Sequence, residues 1–307
     1  MKPLFAAVLL LGVLAGGCAT SGYRTKPRIA VVDADPIVQM MPPGTMRSVT
    51  DPRKVSASDH PDLPRGSARV IGLERGTQAI AYPIGLLDRV EVVNDRDDAG
   101  AWVVARCALT HVAAVYGRTV DDRVLTFENS GALWRDTLVL RDLETGTYWS
   151  AATGVGLSGP LAGRELAPLP AVLTTVEAWR RAHASSRYPD LGLSSSVPFL
   201  MRVYGASPWQ GVSGEKTRNT LHPPKREFLS VAAGRETVAF ESEEIRKRRS
   251  LEVTIGGERL AIEWDPRVAA PRAWEGTGPG RRERAVVPMY WFALDRHFDS
   301  VETLPEP

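Results

Sequence analysis

Apolar and polar positions alternate in short runs along most of the chain, a pattern typical of half-buried β-strands. Two hairpins with a short helix between them are predicted in the first half by five segments: Val70–Glu74, Ala79–Tyr82, Pro83–Asp88, Val90–Val93 and Trp102–Arg106. Further short strands are predicted at His111–Tyr116, Val124–Phe127 and Thr137–Arg141. Thr174 and Glu177 have the spacing of a capping box and begin the clearest predicted helix. The predicted fold class is therefore α+β and dominated by strands.

The same pattern returns in the second half of the chain. Phe228–Gly234 and Thr237–Phe240 resemble Val70–Tyr82, and a short helix (Glu241–Arg248) and a hairpin around Gly256 and Gly257 follow. One interpretation is an internal duplication, which gives two related lobes of β-hairpin, helix and β-hairpin. The other is that two hairpins with glycine turns resemble each other by chance.

The first residues have the three parts of a secretory signal peptide. Lys2 is followed by an apolar run from Leu4 to Leu14 and by small residues up to Gly17. The run is shorter than the roughly 20 residues that a membrane-spanning helix needs. Small residues before Cys18 predict a bacterial lipoprotein that is cleaved after Gly17 and carries lipid on Cys18. The alternative is a secreted protein with an incidental cysteine.

No aspartate follows Cys18, because the next residue is Ala19. In a bacterium with two membranes this favours an anchor in the outer membrane, facing the periplasm. In a bacterium with one membrane, we expect the protein on the outer face of the cell membrane.

Composition and the positions of Pro-, Gly- and Ser-rich stretches divide the chain into five expected segments. They are the signal peptide (1–17), a lipid-anchored tether and extended arm (18–66), a core lobe (67–193), an irregular connection rich in Ser, Gly and Pro (194–224), and a second, smaller lobe packed on the first (225–307).

The charge of the chain excludes one class of partner. Lys and Arg number 38 and Asp and Glu 36, a formal net charge of +2, so no overall field attracts a polyanion and nucleic acid is not an expected partner. The expected partners are the membrane, through the lipid, and an envelope protein or glycan. The chain has 2 cysteines. With Cys18 acylated, Cys107 is a lone thiol and an intramolecular disulfide is excluded.

Several motifs point to one bacterial family. They are Ala81-Tyr-Pro, Glu91-Val-Val-Asn-Asp95, Cys107-Ala-Leu-Thr110, the stretches Ser130–Asp142 and Thr145–Ser150, Gly159-Pro-Leu-Ala-Gly163, Tyr188-Pro189 and Tyr290–Ala293. Together they resemble the family called domain of unknown function 3179, over most of the mature chain. The resemblance implies one whole-chain module and no established reaction.

Three polar positions depart from the family pattern. The family usually has His before its Glu, where this chain has Val90 before Glu91, and a second Cys where this chain has Thr110. It often has Gln where this chain has Ala151. The resemblance therefore implies a member that keeps the scaffold and has a lost or remodelled polar site.

Cys107 and His111 are the residues of that segment with candidate chemistry. A thiolate and an imidazole, with Glu91 as a third ligand, suit copper or zinc, or a redox thiol. Two ligands alone are too few for a tight site. The alternative, which the sequence favours, is that Cys107 is a small core residue on the inward face of its strand.

Two further groups are candidates for binding. Asn94 and Asp95 are a candidate polar site or, as the sequence favours, part of a polar hairpin turn. Tyr82, Trp134 and Trp149 are candidate ligand contacts for a sugar or peptidoglycan, although aromatic residues on strands are usually core.

No set of catalytic residues is identifiable. The sequence therefore favours a non-enzymatic binding or scaffold module. A metal-handling or thiol-redox protein is the alternative, and carbohydrate binding is a further one.

Overall fold

The structure is a computed structural model, which describes residues 35–60, 62–194, 196–217, 219–233, 236–276 and 278–304. The expected signal peptide, Cys18 and the part of the tether up to residue 34 lie outside the described residues, whereas the rest of the predicted arm contributes short strands to three sheets. Within the described part of the chain, no helix is both long and apolar enough to cross a membrane.

Strands account for most of the regular structure before the connection. They are β1 Val38–Gln39, β2 Val49–Thr50, β3 Lys54–Ser56, β4 Arg69–Arg75, β5 Gln78–Pro83, β6 Val92–Asp97, β7 Gly100–Cys107, β8 Val112–Gly117, β9 Thr119–Val120, β10 Arg123–Val124, β11 Phe127–Trp134, β12 Thr137–Asp142, β13 Tyr148–Ser150, β14 Gly156–Ser158, β15 Val172–Thr175 and β16 Arg187–Pro189.

Further strands follow the connection. They are β17 Glu227–Ala233, β18 Glu236–Phe240, β19 Ser250–Ile255, β20 Glu258–Asp265, β21 Ala270–Glu275, β22 Arg282–Arg284, β23 Val287–Tyr290 and β24 Ser300–Leu304. The helices of the described residues are short: α1 Ile84–Val90, α2 Val176–Ala182, α3 Phe199–Ala206, α4 Ser242–Arg248 and α5 Trp291–His297. The prediction of a strand-dominated fold is confirmed.

The larger sheets have four or five strands each, in a propeller-like arrangement. Their strand orders are β15-β4-β5-β16-β3, β2-β6-β7-β8, β1-β11-β12-β13-β14, β23-β17-β18-β24 and β19-β20-β21-β22. We call β4–β8, β15, β16, α1 and α2 the first lobe, and β17–β24, α4 and α5 the second lobe. The strands from β9 to β14 form the inserted segment between β8 and β15.

The elements of the two lobes correspond in order and in length. Arg69, the first residue of β4, lies 158 positions before Glu227, the first residue of β17. The same shift superposes the bounds of α1 on α4, β6 on β19, β7 on β20 and β8 on β21. A second constant shift superposes β15 on β23 and α2 on α5.

Strand pairing follows the same correspondence. In the first lobe β15 pairs antiparallel with β4, and β16 pairs parallel with β5. In the second lobe β23 pairs antiparallel with β17, and β24 pairs parallel with β18. The shorter second shift is explained by the inserted segment, for which the second lobe has only the stretch around β22.

Three local predictions are corrected. Asn94 and Asp95 lie within β6 rather than in the hairpin turn, because their side chains find buried partners. Thr175 rather than Thr174 caps α2, since the Thr175 side chain accepts a hydrogen bond from the backbone N–H of Ala178. The connection predicted to be irregular contains the helix α3.

Candidate functional site

Cys107 ends β7 and lies in the interior of the first lobe. Its side chain is 2% exposed, it pairs with Val112 across the hairpin, and it belongs to the core cluster that includes Ala105 and Leu138. Burial and then the charge of Glu91 raise the pKa of the Cys107 thiol. Cys107 is therefore a protonated thiol at neutral pH, whereas metal binding and nucleophilic attack use the thiolate.

Glu91 lies close to this thiol, just after α1. Its backbone is left-handed, with a φ of 55°. Its Oε2 accepts a hydrogen bond from Asn129 Nδ2 at 2.6 Å. Burial and the charge of Asp88 raise the pKa of Glu91 to about 7. The structure thus brings Glu91 and Cys107 together as a carboxyl group that titrates near neutrality and an uncharged thiol.

His111 precedes β8, with a φ of 65°. Its ring stacks on Tyr290, with ring centroids 4.7 Å apart. Its Nδ1 lies 2.5 Å from Glu227 Oε2, although the two atoms are out of line for a hydrogen bond. Burial and the charge of Arg106 lower the pKa of His111. Because the carboxylate faces Nδ1, we assign the proton of the neutral ring to Nδ1, which leaves Nε2 as an acceptor.

Glu227 also holds Arg69, which joins the first strands of the two lobes. The two terminal nitrogens of Arg69 donate to the Glu227 carboxylate at 2.7 and 2.6 Å. Burial opposes the ionisation of Glu227, but the close contacts with His111 and Arg69 outweigh burial and lower the pKa of Glu227 to about 2. His111 therefore faces a carboxylate that stays ionised across the physiological range.

A pocket of about 400 Å³ opens beside His111. Its polar lining includes Arg69, Asp88, Arg106, His111 and Tyr290. Its apolar lining includes Ile84, Ala108, Val197 and Met201. The volume falls within the range of small-molecule sites, and the mixture of an apolar wall with a few polar groups is typical of them. Cys107 and Glu91 do not line the pocket.

A buried ion pair supports this wall. Arg106 Nε donates to Asp88 Oδ1 at 2.8 Å, and each side chain is only 3% exposed. Arg106 Nη1 also donates to the backbone carbonyl of His111 at 2.9 Å. The pair thereby fixes the turn that presents the His111 ring.

The structure does not bring Cys107, His111 and Glu91 together in one group. Among the described residues, no group of three or more His, Cys, Asp or Glu side chains is placed to hold a metal ion. Glu91 adjoins Cys107, whereas His111 contacts Glu227 and Tyr290.

Asn94 and Asp95 are both buried on β6, where they bond to neighbouring strands. Asn94 exchanges two hydrogen bonds of 2.8 Å with the backbone of Phe127. Asp95 accepts a hydrogen bond from Tyr82 Oη at 2.7 Å and forms an ion pair with Lys54. These partners satisfy both side chains without a ligand.

Tyr82, Trp134 and Trp149 lie in three different core clusters. Tyr82 and Trp149 are fully buried, and Trp134 is 7% exposed. Trp149 Nε1 donates to Asp142 Oδ2 at 2.8 Å, so its polar atom is satisfied inside the protein. The three rings therefore do not share a groove for a sugar.

Sequence reasoning missed most of the pocket. It identified His111 but not Asp88, Arg106 or Tyr290 of the lining, nor Glu227, which contacts His111. Two signals were present: Arg106 interrupts an apolar strand, and Asp88 is the acidic residue of a helix that is otherwise mostly apolar. A charged residue on an apolar face predicts a buried partner, because an unpaired buried charge is costly.

Comparison with known proteins places the chain in a family without supplying an activity. No curated protein and no solved structure gave a match. A family model described as "Protein of unknown function (DUF3179)" matches residues 44–304. The matched range includes both lobes, the inserted segment and every residue of the pocket described above. The chain therefore belongs to the DUF3179 family.

Proposed function

We propose that this protein is a lipid-anchored lipoprotein whose ligand binds in the pocket beside His111. The observation that carries this proposal is the pocket itself, which combines an apolar wall with a buried ion pair and a histidine held by Glu227 and Tyr290. Side chains held by several partners are already ordered before a ligand arrives, which lowers the entropic cost of binding.

The chemistry of the lining favours a ligand with hydrogen-bond donors. His111 Nε2 offers a lone pair, and it has no hydrogen-bond partner among the described residues. Hydroxyl and amide groups match this acceptor, and the apolar lining at Ile84 and Met201 suits a ring or a methyl-bearing group. Envelope glycans and their peptides carry both kinds of group, so we propose a peptidoglycan fragment as the ligand class.

Calorimetric titration of the mature protein with soluble muropeptides tests this site. We expect His111→Ala to weaken binding about fivefold, the equivalent of one hydrogen bond. Met201→Trp fills the pocket and is expected to abolish binding. Arg246→Ala, on the exposed face of α4 in the second lobe, is the matched control. If Met201→Trp binds muropeptides as the wild type does, this pocket is not their site.

We also propose that the two lobes arose by duplication of one β-hairpin, helix, β-hairpin unit. The support is that two constant shifts relate the element bounds and the strand pairing of the two halves. Chance similarity of two glycine turns gives no reason for the helices and the parallel strands to correspond as well.

The membrane anchor is proposed from the N-terminal sequence alone. Lipid on Cys18 would hold the protein at the outer membrane, facing the periplasm, or on the outer face of a single membrane. Mass spectrometry of the mature N-terminus measures the acyl modification. We expect Cys18→Ser to move the protein from the membrane fraction to the soluble fraction or to block its maturation. An unmodified Cys18 in protein recovered from membranes would contradict this proposal.

A metal-handling or thiol-redox role is the second candidate, favoured by one observation: the titrating carboxyl of Glu91 adjoins the Cys107 thiol. Elemental analysis of protein from the periplasm tests it. Copper or zinc that is bound by the wild type and lost in Cys107→Ala would establish this candidate. Absence of both metals, with a thiol that reacts only in denaturant, would exclude it.

A further inference from the structure

The helix α3 presents its apolar side chains to solvent. Phe199 is 72% exposed and Val203 is 43% exposed, and the two lie one turn apart on the same face. Ala206, also exposed, continues that face. A surface helix of a soluble domain normally turns such a face towards the core. In this structure no described residue covers the face.

The orientation of α3 is fixed by contacts on its other side. Tyr204 is 2% exposed, and its hydroxyl donates to the carbonyl of Leu109 at 2.8 Å. The backbone N–H of Gly211 donates to the same hydroxyl at 2.9 Å, and Lys225 lies 3.5 Å from the centre of the Tyr204 ring. Rotating the helix to bury Phe199 would break all three contacts.

Further exposed apolar side chains and an arginine lie beside this face. Val197, just before α3, and Trp209, just after it, are each 42% exposed. Arg202 lies on the helix and forms no ion pair within the described part of the chain. Apolar and aromatic residues beside a free cation match the boundary between acyl chains and anionic headgroups.

The N-terminal arm begins close to this region. Asp35, the first described residue, pairs with Arg135 Nε at 2.8 Å. Arg135 Nη1 donates to the carbonyl of Arg296, and Arg296 Nη2 donates to the carbonyl of Glu215 in the same connection as α3. Cys18 and Asp35 lie 17 positions apart in the sequence, a distance of at most about 60 Å for a fully extended chain. The proposed lipid therefore lies within reach of this side of the protein.

We infer that the outer face of α3, with Val197 and Trp209, contacts the lipid surface in which the Cys18 anchor is inserted. This inference rests on the proposed lipid anchor. Because Val197 and Met201 also line the pocket, α3 would lie between the bilayer and the ligand site.

Fluorescence of the lipidated mature protein in vesicles of phosphatidylethanolamine and phosphatidylglycerol tests the inference. An environment-sensitive fluorophore is attached to Val203→Cys, while the buried Cys107 stays unlabelled in the folded protein. We expect a blue shift and quenching by brominated lipids at least about threefold stronger than at the control site. The control is Leu143→Cys, which is 55% exposed at the opposite end of β12 from Arg135.

Each outcome is decisive for one proposal. Equal quenching at the two labels, on protein that remains bound to vesicles, overturns the membrane contact and leaves the anchor intact. A blue shift at residue 203 that grows with protein concentration and is insensitive to brominated lipid overturns it in favour of a second copy of the chain. Protein recovered from membranes that carries no lipid on Cys18 and does not bind vesicles contradicts the anchor instead.

Discussion

In the first lobe Glu91 and His111 have left-handed φ angles of 55° and 65°, and in the second lobe Arg249 and Ala269 have φ angles of 73° and 50°. The two pairs occupy equivalent positions. In each lobe the first residue directly follows the helix, and the second directly precedes the third strand after that helix. The backbone N–H of Arg106 donates to the Glu91 carbonyl, and that of Trp264 to the Arg249 carbonyl. The left-handed turns thus occur in both lobes, and their strain is not by itself a sign of catalysis at Glu91 or His111.

The polar groups differ where the backbone agrees. The buried pair of Asp88 and Arg106 in the first lobe is replaced by the exposed Arg246 and the half-buried Trp264 in the second. The second lobe therefore forms the same elements without a buried ion pair at these positions. A buried pair is often no more stabilising than an apolar replacement. Its presence in the first lobe alone supports a role in the pocket.

The largest expected effect comes from breaking this pair. Asp88→Ala leaves the Arg106 guanidinium buried without its partner, and we expect a loss of about 3–5 kcal/mol in the free energy of unfolding. Urea denaturation followed by tryptophan fluorescence measures the change. Arg246→Ala, at the equivalent position in the second lobe, is expected to cause no measurable change, because its pair with Glu243 is exposed to solvent.

A matched variant separates charge from shape at this position. Asp88→Asn keeps the size of the side chain and one acceptor. Its loss in the free energy of unfolding should therefore fall between those of Asp88→Ala and Arg246→Ala. If Asp88→Ala unfolds at the same urea concentration as Arg246→Ala, then the ion pair is not a structural feature that distinguishes the first lobe.

A second prediction concerns the helix packing of the lobes. A Cβ atom on Gly72 would lie 2.2 Å from Cζ3 of Trp179, whereas the equivalent positions in the second lobe carry Ser230 and Leu294. We expect Gly72→Ser to destabilise the protein by about 1–3 kcal/mol through overpacking. In the double variant with Trp179→Leu, which copies the second lobe, the clash is absent.

A double-mutant cycle measures this equivalence. We expect the double variant to be more stable, by about 1 kcal/mol, than the sum of the two single changes. Gly85→Ala, on the buried α1 of the same lobe, combined with Trp179→Leu controls for general weakening. Strict additivity of Gly72→Ser and Trp179→Leu would mean that the two lobes do not share this helix packing.

The sequence predicted the local secondary structure better than it predicted the residues of the candidate site. The hairpins and the helix between them were predictable, because alternation and glycine turns are local signals. The approach of Arg69 to Glu227 was not, since it depends on how two distant lobes meet. Asn94 and Asp95 resembled a turn because these residues favour turns. Their buried partners on other strands, Phe127 and Tyr82, are invisible to a local pattern.

The helix α3 escaped prediction for a related reason. Its apolar residues Phe199 and Val203 face outwards, and Gly205 and the preceding Pro198 dilute its pattern. A core-facing periodicity therefore could not identify it. For Cys107, by contrast, the sequence favoured a small core residue, and the thiol is indeed among the buried apolar residues.

The smallest expected effect is a difference in pH dependence between Glu91 and its equivalent, Arg249. The pKa of Glu91 is raised to about 7 in the folded protein, so the folded state holds a proton that the unfolded state releases above about pH 4.5. Its contribution is present at low pH and is lost as the pH rises through about 7. Between about pH 5 and pH 8, we expect the free energy of unfolding of the wild type to fall by about 1–2 kcal/mol more than that of Glu91→Gln. The value is modest because the side chain is half-buried.

Urea denaturation at the two pH values provides the measurement. His111 acts in the opposite direction, since its pKa is lowered and stability is lost as the pH falls through about 6.5. Its contribution is common to both proteins and cancels in the difference. Arg249→Gln is the control, and its stability should follow the wild type at both pH values because Arg249 is exposed and does not titrate in this range. An identical pH dependence of Glu91→Gln and the wild type would place the Glu91 carboxyl in solvent, and Glu91 would then resemble Arg249 in environment as well as in backbone.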